Sequence, residues 1–200
     1  MKQRKSEIER CTKETEISAK LNLDGTGTAN VVTGIGFLDH LLDTLAKHAR
    51  FDLDFICKGD LFIDDHHTAE DCGLTLGMVM QKALGPRMGI RRFGYAYAPL
   101  DEALARAVVD ISGRPFADLN LGLTRDKLGE LSCENIPHIL SSFASTAGIT
   151  LHVDVLKGEN DHHRAEAAFK ALALAIRSAT QDSGFEDIPS TKGDLGGTEE

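Results

Sequence analysis

The run Asp65-His66-His67-Thr68-Ala69-Glu70 returns later in the chain as Asp161-His162-His163-Arg164-Ala165-Glu166. A repeated D-H-H-x-x-E constrains the fold more than any other feature, because the duplication extends upstream. His40, in Leu38-Asp39-His40-Leu41-Leu42, precedes the first copy by 26 residues, and His138, in Ile136-Pro137-His138-Ile139-Leu140, precedes the second by 24. Between each early histidine and its motif come an apolar helical pattern, a strand-like run (51–56 and 149–155) and a turn at Gly59 or Gly158. Shared order at nearly equal spacing is the mark of internal duplication. The chain therefore reads as two similar halves, over about 10–90 and 91–182, with an arm over 183–200.

Both motifs lead into alanine- and leucine-rich stretches, which places each at the start of a helix. In a helix, residues four apart share a face, so His66 lies with Glu70 and His162 with Glu166. The adjacent histidines, His67 and His163, are turned by about 100° and cannot easily serve the same ion. Imidazole and carboxylate together are nitrogen and oxygen donors for a divalent metal. Each motif is thus expected to give a His and a Glu to one ion and a lone His to another. The expected sets are His66, Glu70, His138 and His163 for one ion, and His162, Glu166, His40 and His67 for the other. No thiolate takes part, which suits manganese or iron better than structural zinc.

At 200 residues the chain is expected to form one domain of two fused halves. No run of apolar residues is long enough to span a bilayer, and the N-terminus lacks the apolar core of a secretory signal. The net charge of −9 argues against nucleic acid as a partner. Cys11, Cys57, Cys72 and Cys133 are scattered, without C-x-x-C, and read as reduced thiols of a cytoplasmic protein. Ile8–Asn22 alternates like a first strand, with a second near 29–33 after the Asp24-Gly25-Thr26-Gly27 turn. Helices are read over 40–48 and 131–148, and strands over 91–98 and 103–111. The polar, Gly-rich stretch after Gly184 reads as a loosely held arm.

Several long motifs resemble the imidazoleglycerol-phosphate dehydratase family. They are Gly34-Ile35-Gly36-Phe37-Leu38-Asp39-His40, Gly59 to Asp71 with the first metal motif, Asp110-Ile111-Ser112-Gly113-Arg114-Pro115, Ala147-Gly148-Ile149-Thr150-Leu151-His152 and Ser190-Thr191-Lys192-Gly193. The resemblance runs from about Arg10 to Lys192. It implies an α+β fold of two duplicated half-domains, each a mainly four-stranded sheet backed by helices on one face (ribosomal protein S5 domain 2-like). It also implies dehydration of D-erythro-imidazole glycerol phosphate to imidazole acetol phosphate in histidine biosynthesis. Two Mn²⁺ per active site, and a 24-subunit homo-oligomer with sites between subunits, belong to the same expectation. Ala49, where the family usually has glycine, is a small departure, and the chain reads as the stand-alone form without a fused phosphatase.

The resemblance assigns roles residue by residue. Arg92 and Arg114 are expected at the substrate phosphate, since arginine binds phosphate in bidentate fashion, and Lys170, one turn beyond Glu166 on the same helix face, is placed to join them by its helix position. Ser190, Thr191 and Lys192 are expected to close over the site. His48, together with His40, His66, His67, Glu70 and His162, is expected to contact substrate. Glu14 matches a substrate-contacting carboxylate and is a candidate acid/base, as are Glu70 and Glu166; the sequence does not choose among them. Two competing readings remain at this point. A di-metal phosphate-ester hydrolase uses similar ligands, but with ions about 4 Å apart. A non-catalytic metal shell would not need the Arg and Lys cradle.

Overall fold

The computed structural model describes residues 4–195. The first half runs β1 (Lys5–Cys11), β2 (Thr15–Asn22), β3 (Ala29–Val32), α1 (Gly36–Ala49), β4 (Asp52–Gly59) and α2 (His66–Leu84). The second runs β5 (Phe93–Leu100), β6 (Ala103–Asp110), β7 (Phe116–Asn120), a small hairpin of β8 (Lys127–Leu128) and β9 (Leu131–Ser132), α3 (Asn135–Ala147), β10 (Thr150–Lys157) and α4 (Asp161–Thr180). The strand orders β1-β2-β4-β3 and β5-β6-β10-β7 are the same topology twice. In each sheet the last pair is parallel and the others are antiparallel. The β8–β9 hairpin is an insertion of the second half only.

Period-two burial fixes which face of each sheet meets the helices. Thr15, Ile17, Ala19 and Leu21 of β2 point inward, as do Ala103, Ala105, Ala107 and Val109 of β6. Each fully buried Leu, Ile or Phe in this core contributes about 1.5–3 kcal/mol. The helices form the middle layer: α2 rests on β1 and β2, α4 on β5 and β6, and across the halves α2 packs on α3 and α1 on α4. Helix α4 buries apolar residues toward both the sheet and α1 (Ala165, Ala168, Phe169, Leu172, Ala175, Ile176) and keeps a polar stripe with Glu166 and Lys170. No helix among the described residues is long and apolar enough to cross a membrane.

The α2–α3 contact is unusually close because α2 carries Gly73 and Gly77 on the facing side. A Cβ at Gly73 would lie 2.6 Å from the Ile139 carbonyl oxygen, and one at Gly77 would lie 2.5 Å from that of Phe143. This close approach brings His138 of α3 beside the first turns of α2.

Three readings of the sequence change, and one strand went unread. The helix read over 131–148 begins only at Asn135, because Leu131–Ser132 pair with β8 as β9. The alternation over Ile8–Asn22 is not one strand but a hairpin, because the Thr12 hydroxyl accepts from the N–H groups of Glu14 and Thr15 and turns the chain. Strand β7, short and only half-buried, was not legible and pairs with β10 in register Leu119↔Val153. Up to Leu195 the tail is held rather than loose. Gly89 donates to the Asp187 carbonyl at 2.9 Å, Arg92 Nη1 to that of Pro189 at 2.8 Å, and buried Arg87 Nη1 to that of Leu195 at 2.7 Å. The rest of the arm, 196–200, lies outside the described residues.

Candidate metal and substrate site

Both motifs open their helices by the same local device. The Asp64 carboxylate accepts from the His66 N–H at 2.9 Å, and the Asn160 amide oxygen from the His162 N–H at 2.9 Å. A side-chain acceptor at a helix start satisfies an N–H that the helix itself leaves unpaired. The first residue of each motif therefore turns elsewhere. Asp65 accepts from Ser132 N (2.6 Å), Ser132 Oγ (2.8 Å) and Asn135 Nδ2 (3.0 Å). Asp161 accepts from Thr124 N (2.7 Å), Thr124 Oγ1 (3.1 Å) and Arg125 N (2.7 Å). Burial would raise both carboxyls, but these donors outweigh it and hold each below the ordinary aspartate value.

Two trios of donors result, each built across the halves. His66 and Glu70 of α2 meet His138 of α3; His162 and Glu166 of α4 meet His40 of α1. In the first, Nε2 of His66 and of His138 lie 3.9 and 3.5 Å from the Glu70 carboxylate, and the two rings stack at 5.0 Å. In the second, Nε2 of His40 and of His162 lie 3.2 and 3.3 Å from Glu166 Oε2. The donor atoms of each trio lie within 4.8 Å of one another. Donors about 2.2 Å from a common ion lie at most about 4.4 Å apart, so only small side-chain shifts separate these trios from a coordination shell. His138 Nε2 is buried and has no hydrogen-bond partner, as a ligand nitrogen awaiting an ion would be. The donor chemistry and the geometry fit a divalent ion.

The chain does not bring His67 or His163 to either trio. Instead each is held by a carboxylate on its Nδ1: His67 by Asp60 at 3.0 Å, and His163 by Glu102 at 2.7 Å. These bonds raise both imidazoles above their ordinary value. Glu102 is pulled down to about 2, first by the Asn160 N–H and then by His163 and the Glu159 N–H. Asp60 and Glu102 do not stand out in the sequence. Asp60 lies in the turn before the first motif, and Glu102 sits in the β5–β6 turn, far from the residue it serves.

Glu14, in the β1–β2 turn, places Oε1 3.8 Å from His67 Nε2. Lys170 pairs with Glu166 at 3.0 Å. Burial would raise the Glu166 carboxyl, yet Lys170 and His40 together hold it below the ordinary glutamate value. His48, in the last turn of α1, is kept low by burial and then by the Lys170 charge, which favours neutral imidazole. Arg92 is clamped by Asp110 through Nε (2.7 Å) and Nη2 (3.1 Å), and Arg114 Nη2 lies 3.8 Å from the same carboxylate. Pro189, whose carbonyl accepts from Arg92 Nη1, directly precedes Ser190, Thr191 and Lys192 in the chain. Among the described residues no hydrogen bond or ion pair links this cationic cluster to either trio. Cys72, next to the first motif, is buried against the core rather than turned toward the donors.

Residues 33–176 match the family model described as imidazoleglycerol-phosphate dehydratase. The chain is 62% identical over 192 residues to an imidazoleglycerol-phosphate dehydratase of Phytophthora nicotianae, covering 96% of this chain but 42% of that longer protein. It is 54% identical over 219 residues to the Candida albicans protein of the same name, covering 96% of this chain and 98% of that one. In three dimensions it is similar to the imidazoleglycerol-phosphate dehydratase of Pyrococcus furiosus, with a TM-score of 0.81 and 35% identity over 94% of this chain and 100% of that one.

Proposed function

The chain belongs to the imidazoleglycerol-phosphate dehydratase family, the hydro-lyases of histidine biosynthesis, and from that premise we propose that it dehydrates D-erythro-imidazole glycerol phosphate using two divalent ions, manganese by preference. The pair of His/His/Glu trios is the observation that carries this reading. When bound, such ions act as Lewis acids that draw electron density from an azole ring. His66, Glu70 and His138 would hold one, and His40, His162 and Glu166 the other.

The reaction removes a proton from a carbon beside the imidazole and expels a hydroxyl. That C–H is poorly acidic, so positioned acid and base groups are required. Glu14, half-exposed beside His67, is placed to accept or return a proton at its Oε1. Glu70 and Glu166 are further candidates at the ring end. His48 is kept neutral beside Lys170 and is suited to hydrogen-bond a substrate hydroxyl. Arg92, Arg114, Lys170 and Ser190–Lys192 supply the charge and donors for the phosphate.

The proposal includes a homo-oligomer, a 24-subunit shell in cytoplasm, with sites completed between subunits. Three features support it. Each trio has three donors and would take His163 or His67 as a fourth. Those two histidines are held by Glu102 and Asp60 away from the trios of their own chain. The outer face of the second sheet exposes more than half of Phe93, Tyr95, Tyr97 and Phe116, an apolar patch of the kind that marks an interface.

The test is turnover of imidazole glycerol phosphate by metal-stripped protein, followed to imidazole acetol phosphate with and without Mn²⁺. Product only when metal is added is expected. Folded, assembled protein that forms no product at any metal concentration would overturn the proposal, and release of inorganic phosphate would favour the hydrolase.

A further inference from the structure

The two trios differ in what surrounds them, and the difference begins three residues before each early histidine. Before His138 that residue is Asn135, and before His40 it is Phe37. Asn135 is 3% exposed and lies between two residues of the first motif. Its Nδ2 donates to Asp65 Oδ2 at 3.0 Å, and its Oδ1 lies 3.1 Å from His66 Nδ1. An ionised carboxylate only accepts, so Asp65 fixes which end of the amide faces it. The amide oxygen must then face His66, and it too only accepts. His66 is thereby set with its proton on Nδ1 and its Nε2 lone pair toward Glu70 and His138. Phe37 offers His162 a ring contact at 5.0 Å between centroids and no hydrogen bond.

We infer that Asn135 is a positioning residue that fixes the tautomer and direction of His66, and that it makes the His66–Glu70–His138 position the tighter of the two. The inference rests on the reading of the trios as ion sites. Outer hydrogen bonds to a ligating imidazole orient it and raise its basicity. The carboxylates act in the same sense. Glu166 shares its charge with Lys170 at 3.0 Å, whereas the residue four beyond Glu70 is the uncharged Leu74. One position therefore has a hydrogen-bonded histidine and no lysine at that place on its carboxylate; the other has a ring-packed histidine and a lysine-paired carboxylate. A duplicated motif has acquired two unequal halves.

The test is equilibrium dialysis of the metal-stripped full chain against graded Mn²⁺, with bound metal counted per chain. The wild type is expected to fill in two steps. Asn135→Leu should weaken the tighter step about 10- to 100-fold and leave the other unchanged. His138→Ala should abolish that same step, and adding Asn135→Leu to it should move the remaining step by less than about twofold. Lys170→Met should tighten only the weaker step, which keeps the inequality testable if Asn135→Leu fails to fold, as judged by unfolding of the metal-free protein. Two equal ions in the wild type, or Asn135→Leu weakening both steps alike, would overturn the inference. A wild-type protein that binds no Mn²⁺, or binds it unchanged after His138→Ala, would instead remove the ion-site reading itself.

Discussion

Gly73→Ala tests whether the close approach of α2 and α3 builds the first trio. In a solvent-exposed helix interior this substitution raises stability by about 1 kcal/mol, because alanine is the better helix former. Here the new methyl would meet the Ile139 carbonyl oxygen at 2.6 Å and Ser142 Cβ at 3.1 Å, against an ordinary contact of 3.4 Å or more. Relief requires α3 to move by most of an ångström, and overpacking of this kind costs about 1–3 kcal/mol. Taking about 2 kcal/mol, the net effect after the propensity gain is a loss of about 1 kcal/mol, or roughly 2–4 °C in the melting temperature of a chain this size. Ile139 is the neighbour of His138, so the same movement opens the His138–Glu70 spacing of 3.5 Å. Mn²⁺ affinity at that position should fall about tenfold, since a site loosened by an ångström loses its preorganisation. Thermal unfolding of metal-free protein and Mn²⁺ titration of the refilled protein read the two effects separately. A melting temperature that rises would refute the packing argument. A lower one with unchanged Mn²⁺ affinity would break the link between helix approach and site.

Four further outcomes follow from the contacts described. Asp110→Asn removes the charge that clamps Arg92, so KM for the phosphorylated substrate should rise about tenfold with kcat within about twofold; an unchanged KM would take Arg92 out of the phosphate cradle. Arg87→Met deprives the carbonyls of Ala147, Gly148 and Leu195 of a buried donor, which should cost about 3 kcal/mol or more in urea unfolding; a loss under about 1 kcal/mol would mean that the tail does not depend on it. Asp161 has a lowered folded pKa, so its charge stabilises the fold above the ordinary aspartate value of about 3.9, and the effect is lost as pH falls through the lower folded value. The melting-temperature gap between wild type and Asp161→Asn should therefore close in acid, and a gap constant from neutral pH downward would contradict the role of the charge. Chelation should shift the assembly to smaller oligomers in sizing chromatography; a large particle unaltered by complete metal removal would exclude metal-linked assembly.

The pairing of His66 with Glu70, and of His162 with Glu166, was legible because helical periodicity alone sets it. The repeat of spacing around His40 and His138 exposed the two halves, but not their sheet topology, which needs the split of β1 from β2 and the unread β7. The partners that hold the histidines were not legible. Glu102 reaches His163 from the β5–β6 turn, and Asn135 reaches His66 from another helix, so neither contact has a local sequence signal. Strand β7 escaped notice because five alternating, half-exposed residues look like a loop until β10 is placed beside them. The tail was misread because its composition is polar, yet its anchors are backbone carbonyls, which composition does not encode. Arg87 was passed over for the converse reason: a lone arginine normally reads as surface, and this one is fully buried.

The most direct measurement is a crystal structure of the assembled protein grown with Mn²⁺, with data collected at the manganese absorption edge. Two anomalous peaks per chain are predicted. One lies among His66, Glu70 and His138, the other among His40, His162 and Glu166, with His163 and His67 arriving from neighbouring subunits. Active protein with no anomalous peak at either trio would contradict the account.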